Sequence, residues 1–275
     1  VQEKEYIQTL LEAFTNLNPD NFEVKMYPPK IFMCGGPVNT LENNSLRDQI
    51  RNYCDSTDEQ LYQSIVLAEN FSDYFQKGSY SNLLAFEEDI ASISSLIVIC
   101  LESAGSLVEL GLFCNRENIA NKLLVYVPIE HTRGEDSFIY LGPLNILKTQ
   151  CSNSVVSYPF PVRGQKYEHI DMVIEDLRSR LASIHKTEKF STDSTGHLAL
   201  LIHDIVGISE PVKLNEIRSV LKIVLEIEFP ERYISKMMYL LDRMGLVKRI
   251  EYSNSYYYYK NIVDQNRIKF GKTLD

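Results

Sequence analysis

The segment "LIVICLESAGSLVELGLF" (96–113) runs from an aliphatic stretch through Gly105 and Ser106 into a second apolar stretch that holds one carboxylate, Glu109. Gly105 and Ser106 can open a helix, with Ser106 near its N-cap. Glu109 then falls about one turn in, where the helix dipole favours negative charge. A capping box of Ser106 and Glu109 would satisfy orphan amides without any ligand. The neighbours argue for more, because Leu107, Val108, Leu110, Leu112 and Phe113 make no solvated face. A carboxylate in such surroundings at a crevice is a candidate catalytic group. Upstream, Gly35 and Gly36 follow the run "KIFMC" (30–34) and let backbone amides approach a ligand without Cβ atoms in the way. The pair belongs to neither a GxGxxG fingerprint nor a P-loop, and a tight strand-to-helix turn explains it equally well.

Metal chemistry finds little support. The five cysteines (34, 54, 100, 114, 151) form no CxxC and the five histidines no HxxxH or HExxH, although His197 and His203 stand six apart on an expected helix. Reduced, buried thiols and packed histidines are the expectation, with no metal site.

Five short apolar runs must position Glu109 and the glycines: "KIFMC" (30–34), "SIVLAE" (64–69), "LIVICLE" (96–102), "KLLVYVP" (122–128) and "SVVSYPF" (154–160). Helical patterns separate them, which predicts an α/β fold with a parallel sheet of Rossmann or flavodoxin type, entered after an amphipathic helix bearing Tyr6, Leu10, Leu11 and Phe14. Ligands of such sheets sit beyond the carboxyl ends of the strands. The loops "CGGPVN", "ENFSDYFQKGSYSNLLAFEED" and "ESAGS" should therefore converge on one crevice. After the helical stretch 166–186, "TEKFSTDSTG" reads as a linker. Three helices and a hairpin turning at Ser253 to Ser255 then give winged-helix organisation. The expected domains are 1–189 and 190–275.

The chain has 275 residues, 44% apolar and 24% charged, as in an ordinary globular protein. Its longest aliphatic run is far short of the roughly 18 residues of a membrane span, and its first residues lack a basic segment followed by an apolar core. A cytoplasmic protein is expected. Residues 190–275 hold 12 Lys and Arg against 11 Asp and Glu, leaving 16 basic and 26 acidic residues for the first part. So near-neutral a second part suits docking on a preassembled complex better than seeking duplex DNA alone. On "ERYISKMMYLLDRMG", Ile234, Met237, Leu241 and Met244 follow a core stripe, which leaves Arg232, Lys236, Tyr239 and Arg243 on another face. With Lys248, Arg249 and the tyrosines at 256–259 on the wing, that face is the candidate contact for nucleic acid or a partner. The ordinary outer face of an amphipathic helix has the same composition.

The stretch "ESAGSLVELGLF" resembles the G-[ST]-x-x-E-[LIM]-G motif of nucleoside 2-deoxyribosyltransferase-like proteins. The wider set "IFMCGG", "LLAFEEDIASISSLIVICLESAGSLVELGLFCNRENIANKLL" and "SFIYLGPLNILK" resembles the effector proteins of one class of bacterial retrons, which join such a domain to a winged helix. The likeness covers most of residues 30–150. It implies cleavage or exchange of an N-glycosidic bond through an oxocarbenium-like transition state, with Glu109 as the group that attacks the anomeric carbon. Cys34, Gly35, Gly36, Pro37, Ser103, Gly105 and Ser106 would line the substrate. The transferases carry an aspartate two residues before the motif glycine; Ser103 stands there, and with it the acid that helps bind or protonate the base is missing. Glu87 lies nearest to the place of another family acid, with Asp89 as a substitute.

The retron resemblance implies an antiphage toxin that hydrolyses NAD or a related nucleotide to nicotinamide and ADP-ribose. NAD would be a substrate rather than a cofactor. Its partners would be a reverse transcriptase and its RNA-linked DNA, in an oligomeric complex that controls activity. Nicotinamide departs as a neutral molecule, so this reaction has less need of the missing acid. The other readings are a nucleoside or nucleotide N-glycosidase or deoxyribosyltransferase, and a non-catalytic nucleotide-sensing winged-helix regulator.

Overall fold

The computed structural model describes residues 2–38, 45–71, 80, 83–132, 137–261 and 264–271. Most of the loop expected after the second strand (72–79, 81–82) and Asn39 lie outside these. The chain forms two compact units. One comprises Pro29–Asn70 and Ser94–Ile184, the other Val1–Pro28, Phe71–Ile93 and His185–Asp275.

In the first unit all five apolar runs become strands: β1 (Ile31–Cys34), β2 (Ile65–Leu67), β3 (Leu96–Cys100), β4 (Leu123–Pro128) and β5 (Val155–Tyr158). They form one parallel sheet of order β2-β1-β3-β4-β5. This is a Rossmann-like, flavodoxin-type order whose direction of winding reverses between β1 and β3. The central strands β1, β3 and β4 are buried at every residue, which is why they read as continuous aliphatic runs rather than alternating ones. Helices α1 (Leu46–Thr57), α2 (Ala104–Cys114) and α3 (Ile170–Ser183) belong to the same unit. Ile31 and Met33 share a core with Leu46, Ile50 and Cys54 of α1 and with Val173, Ile174 and Leu177 of α3. Phe32, on the opposite face of β1, meets Phe113 of α2 edge-on, with ring centroids 6.4 Å apart. Side chains two apart on a strand share a face, so Cys34 also looks toward α2.

The second unit contains the expected three helices, Thr195–Ser209, Leu214–Leu225 and Glu231–Arg243, and the hairpin Val247–Tyr252 and Ser255–Lys260. Ser253 and Asn254 both have positive φ, 49° and 58°, as a two-residue hairpin turn with the twist of its strands requires. Ile234, Met237, Leu241 and Met244 are buried as their spacing predicts. This unit also takes in two segments from the expected first domain. The N-terminal helix Gln2–Ala13 buries Leu10, Phe14 is buried just past its end, and the Tyr6 hydroxyl donates to the Ser209 carbonyl at 3.2 Å. Helix Leu83–Ile93 meets the first of the three helices so closely that a Cβ on Gly196 would lie 2.1 Å from the Ser92 carbonyl oxygen.

The expected linker is not a free one. Thr187–Lys189 pairs antiparallel with Glu23–Lys25, and Phe190 packs edge-on against Phe22 at 5.6 Å. Alternating charge and small polar residues hid a strand whose partner is more than 160 residues away.

A buried charge cluster closes this small sheet. Asp204 accepts hydrogen bonds from the amides of Arg267 and Ile268, at 2.9 and 2.6 Å. His203 lies with Nδ1 2.7 Å from Asp204 Oδ1 and Nε2 3.1 Å from Asp264 Oδ2. Burial opposes charging of this imidazole, but the two carboxylates outweigh it and its pKa is raised above 6.5. Burial opposes ionisation of Asp264, yet His203 and Arg267 hold it down at about 2. The sign follows from linkage: the His203 contribution is complete below pH 6.5 and is lost as pH rises through its raised folded value. The Asp264 contribution is lost only toward pH 2. Thermal unfolding should therefore show stability falling from neutral to alkaline pH. His203→Gln should remove that limb and cost about 3 kcal/mol or more, as for one lost partner of a buried pair. An identical alkaline limb in the variant would contradict this assignment.

Candidate functional site

The carboxyl ends of β1 and β3 meet the start of α1 at a residue the sequence patterns did not single out. Glu102 follows β3, and its Oε1 accepts hydrogen bonds from the amides of Gly36 (2.8 Å) and Arg47 (3.2 Å). Its Oε2 accepts from the amide of Leu46 at 2.7 Å. Two of these donors are orphan amides of the α1 N-terminus, where negative charge is also favoured by the dipole. The glycine pair is explained by this carboxylate. A Cβ on Gly35 would come within 2.9 Å of Glu102 Oε1, and one on Gly36 within 2.8 Å of the Ser45 Cβ. Gly35 also has φ of +156°. Burial pushes the Glu102 carboxyl up, against the pull of the three amides and of Arg47.

Arg47 is buried beneath this loop. Its Nε donates to the Gly36 carbonyl at 2.6 Å, its Nη1 donates to the Met33 carbonyl at 3.3 Å, and it forms an ion pair with Glu69. The Glu69 side chain is half exposed. It also lines a cleft of about 320 Å³ with Val38, Arg51, Tyr62, Gln63, Ile65 and Leu67. Ser45 caps α1, accepting from the Asp48 amide and donating to the Pro37 carbonyl.

Glu109 sits on α2, one turn before Phe113, so the helix lays both against the face of β1 that carries Phe32 and Cys34. The Cys34 thiol is hydrogen-bonded to the Glu109 carboxylate. Its Oε2 is buried and has no hydrogen-bond partner among the described residues. Burial raises its pKa above the usual glutamate value; the Cys34 bond and the Arg47 charge pull it part of the way back, and the Glu69 charge adds to the rise.

The helix start differs from the expectation. Ser103, not Ser106, is the N-cap of α2, because its hydroxyl accepts from the Ser106 amide at 3.1 Å while the Ser106 hydroxyl accepts from the Ser103 amide at 3.1 Å. A reciprocal box of Ser103 and Ser106 thus does the capping, and Glu109 is released from that duty. Ser103 also donates to the Gly35 carbonyl at 3.2 Å, tying α2 to the glycine turn. No protein atom requires a glycine at 105, where a Cβ would meet only the Ser103 hydroxyl at 3.7 Å.

Cys34, Gly35, Gly36, Pro37, Ser103, Gly105, Ser106 and Glu109 all belong to the sheet unit. Glu87 does not; it is buried on helix Leu83–Ile93 of the other unit. Of the residues expected to meet a partner, Lys236 is ion-paired with Asp89 and Tyr239 donates to the Phe71 carbonyl. Arg243 lies over the Tyr239 ring and Arg249 over the Tyr256 ring, while Arg232, Lys248 and Arg249 are exposed. Among the described residues no group of three or more His, Cys, Asp or Glu side chains is placed to hold a metal ion, and no helix is long and apolar enough to cross a membrane.

Glu102 carried no pattern of its own, because it ends an aliphatic run that reads as strand. Arg47 and Glu69 look like the ordinary charges of a helix and a loop. Only the packing of a Gly-Gly turn against the next strand end pointed to a partner there.

A five-stranded parallel sheet with a half-buried, partly unpartnered carboxylate beside the end of β1, joined to a helical region, defines a Rossmann-like α/β protein of two units. The chain belongs to the STM3845 retron effector protein family, whose model matches residues 43–249 and so spans both units. It is similar to the Escherichia coli protein named "Retron Ec73 putative ribosyltransferase/DNA-binding protein", at 25% identity over 250 residues, covering 83% of this chain and 76% of that protein. Its namesake from retron Ec86, also of Escherichia coli, is 32% identical over 127 residues, 46% of this chain and 39% of that protein.

The Glu102 arrangement makes a stability prediction. Glu102→Gln keeps the shape but turns an amide group toward one of the three backbone N–H donors, leaving that donor unsatisfied. Urea unfolding should show a loss on the order of 1–3 kcal/mol. An unchanged midpoint would mean that the three amides do not depend on the charge.

Proposed function

We propose that this chain is an N-glycosidase that cleaves the bond between ribose and base in NAD or a related nucleotide, and that it acts as a retron effector. The observation that carries this reading is Glu109: half-buried, uninvolved in capping, steadied by one thiol, and with one buried oxygen that has no hydrogen-bond partner among the described residues. A fold needs no such carboxylate on an apolar helix. A nucleotide-sensing regulator needs none either, which disfavours that alternative.

The chemistry follows from the residues. As the C1′–N bond breaks, its electron pair leaves with the base, and a nicotinamide departs neutral without a proton from the protein. Positive charge grows on the sugar, and the Glu109 carboxylate stabilises or traps it, as carboxylates do in glycoside cleavage. Water then adds at C1′ and releases a proton, which a carboxylate of raised pKa is suited to accept. The helix start at Gly105 is exposed and leaves room for the rest of the nucleotide. Membership in a retron effector family supports association with a retron reverse transcriptase and its RNA-linked DNA, and through them the restraint that a cell needs over an enzyme that destroys NAD.

The relatives' names favour a second reading, transfer of the ribosyl group to an acceptor instead of water. One experiment addresses both. Purified protein, alone and with its reverse transcriptase partner, is incubated with NAD and a nucleotide panel, and products are separated by chromatography. Free base with ADP-ribose indicates hydrolysis; free base with an ADP-ribosylated acceptor indicates transfer. Glu109→Gln should lose about a hundredfold or more of the rate while keeping its fold. Near wild-type turnover in that variant would overturn the site, and no base release from any nucleotide under either condition would overturn the activity.

A further inference from the structure

Helix Leu83–Ile93 carries three successive acids, Glu87, Glu88 and Asp89, and it lies in the same unit as helix Glu231–Arg243, which bears Arg232, Lys236 and Arg243. Lys236 Nζ stands 2.8 Å from Asp89 Oδ2, with the two side chains only 25% and 12% exposed. The Tyr80 hydroxyl donates to the same carboxylate oxygen at 2.7 Å. The ammonium also lies over the Tyr80 and Tyr233 rings, at 5.1 and 5.5 Å. An ammonium held by a carboxylate and two aromatic faces is nearly as well coordinated as one on a phosphate.

Lys236 is the central cation of the stripe Arg232, Lys236, Tyr239 and Arg243, whose spacing of four, three and four residues puts all four on one helix face. A phosphate backbone laid along that stripe has to reach the same ammonium. We propose that Asp89 is an internal competitor for nucleic acid on helix Glu231–Arg243: phosphate engages Lys236 only by displacing Asp89, so occupancy of this face and the present seating of helix Leu83–Ile93 exclude each other. The competition is confined to this unit and does not rest on the glycosidase reading.

The test uses the full chain and a short fluorescent oligodeoxythymidylate, titrated at several salt concentrations without any activity assay. Asp89→Asn removes the charge but keeps an acceptor for Tyr80. It should tighten binding on the order of three- to tenfold and steepen the salt dependence by about one phosphate contact. Lys236→Ala should weaken binding, and the double variant should bind no more tightly than Lys236→Ala alone. Asp89→Glu, which restores the charge, should return binding toward wild type and guards against an effect of misfolding. The proposal fails if Asp89→Asn leaves affinity and salt slope unchanged, if it tightens binding equally in the Lys236→Ala background, or if neither wild type nor Asp89→Asn binds the oligonucleotide.

Discussion

Three backbone amides converging on the Glu102 carboxylate are the constraint on which the rest of the candidate site depends. They come from two places in the chain, the glycine turn after β1 and the first residues of α1. A carboxylate at the next strand's end therefore joins two elements that sequence separates. Its charge satisfies amides that a helix start always leaves open, and its bulk, with the Ser45 Cβ at position 36, is what forbids side chains at 35 and 36. Arg47, directed by the same helix start, fills the space beneath and takes up the Gly36 and Met33 carbonyls. With both glycines engaged in this way, their first role is to admit a neighbouring carboxylate rather than a ligand.

Glu109 benefits from this arrangement without taking part in it. The serine box at 103 and 106 closes the helix start, the glycine turn is tied to that box through Ser103, and the Phe32–Phe113 contact sets the helix against β1. Among the described residues, what remains for Glu109 is one thiol and a buried oxygen without a partner. Its neighbours set its charge in opposite directions: burial and Glu69 favour the neutral form, Cys34 and Arg47 the ion. A group balanced in this way can change protonation during a reaction, as a carboxylate paired within a capping box cannot do so readily.

The fold was legible where physics is local. Aliphatic runs of the right length became the five strands, because a sheet covered on both faces demands them at β1, β3 and β4. The 3.6-residue stripe of Ile234, Met237, Leu241 and Met244 is buried for the same reason. What escaped was non-local. Thr187–Lys189 makes its strand with a partner near the N-terminus, and helix Leu83–Ile93, in sequence part of the α/β alternation, packs with the C-terminal helices because Gly196 and Ser92 allow backbones to touch. In the site, Glu109 stood out by its apolar company, of which Leu110 and Phe113 are buried but Leu107 and Val108 are exposed, against the expectation of an unsolvated face. Glu102 and Arg47 did not, since their partners are backbone amides and carbonyls that no pattern of side chains records.

The central claim is that Glu109 acts as an ionised carboxylate whose proton affinity is raised by burial. Its most direct test is the pH dependence of base release from the proposed nucleotide substrate, followed by chromatography from pH 4 to pH 8. The account predicts an acid limb on which the rate falls as pH drops through a midpoint above the ordinary glutamate value of 4.5, with no such limb in the residual activity of Glu109→Gln. A rate that is independent of pH down to that value, or an acid limb that persists unchanged in the variant, would contradict it.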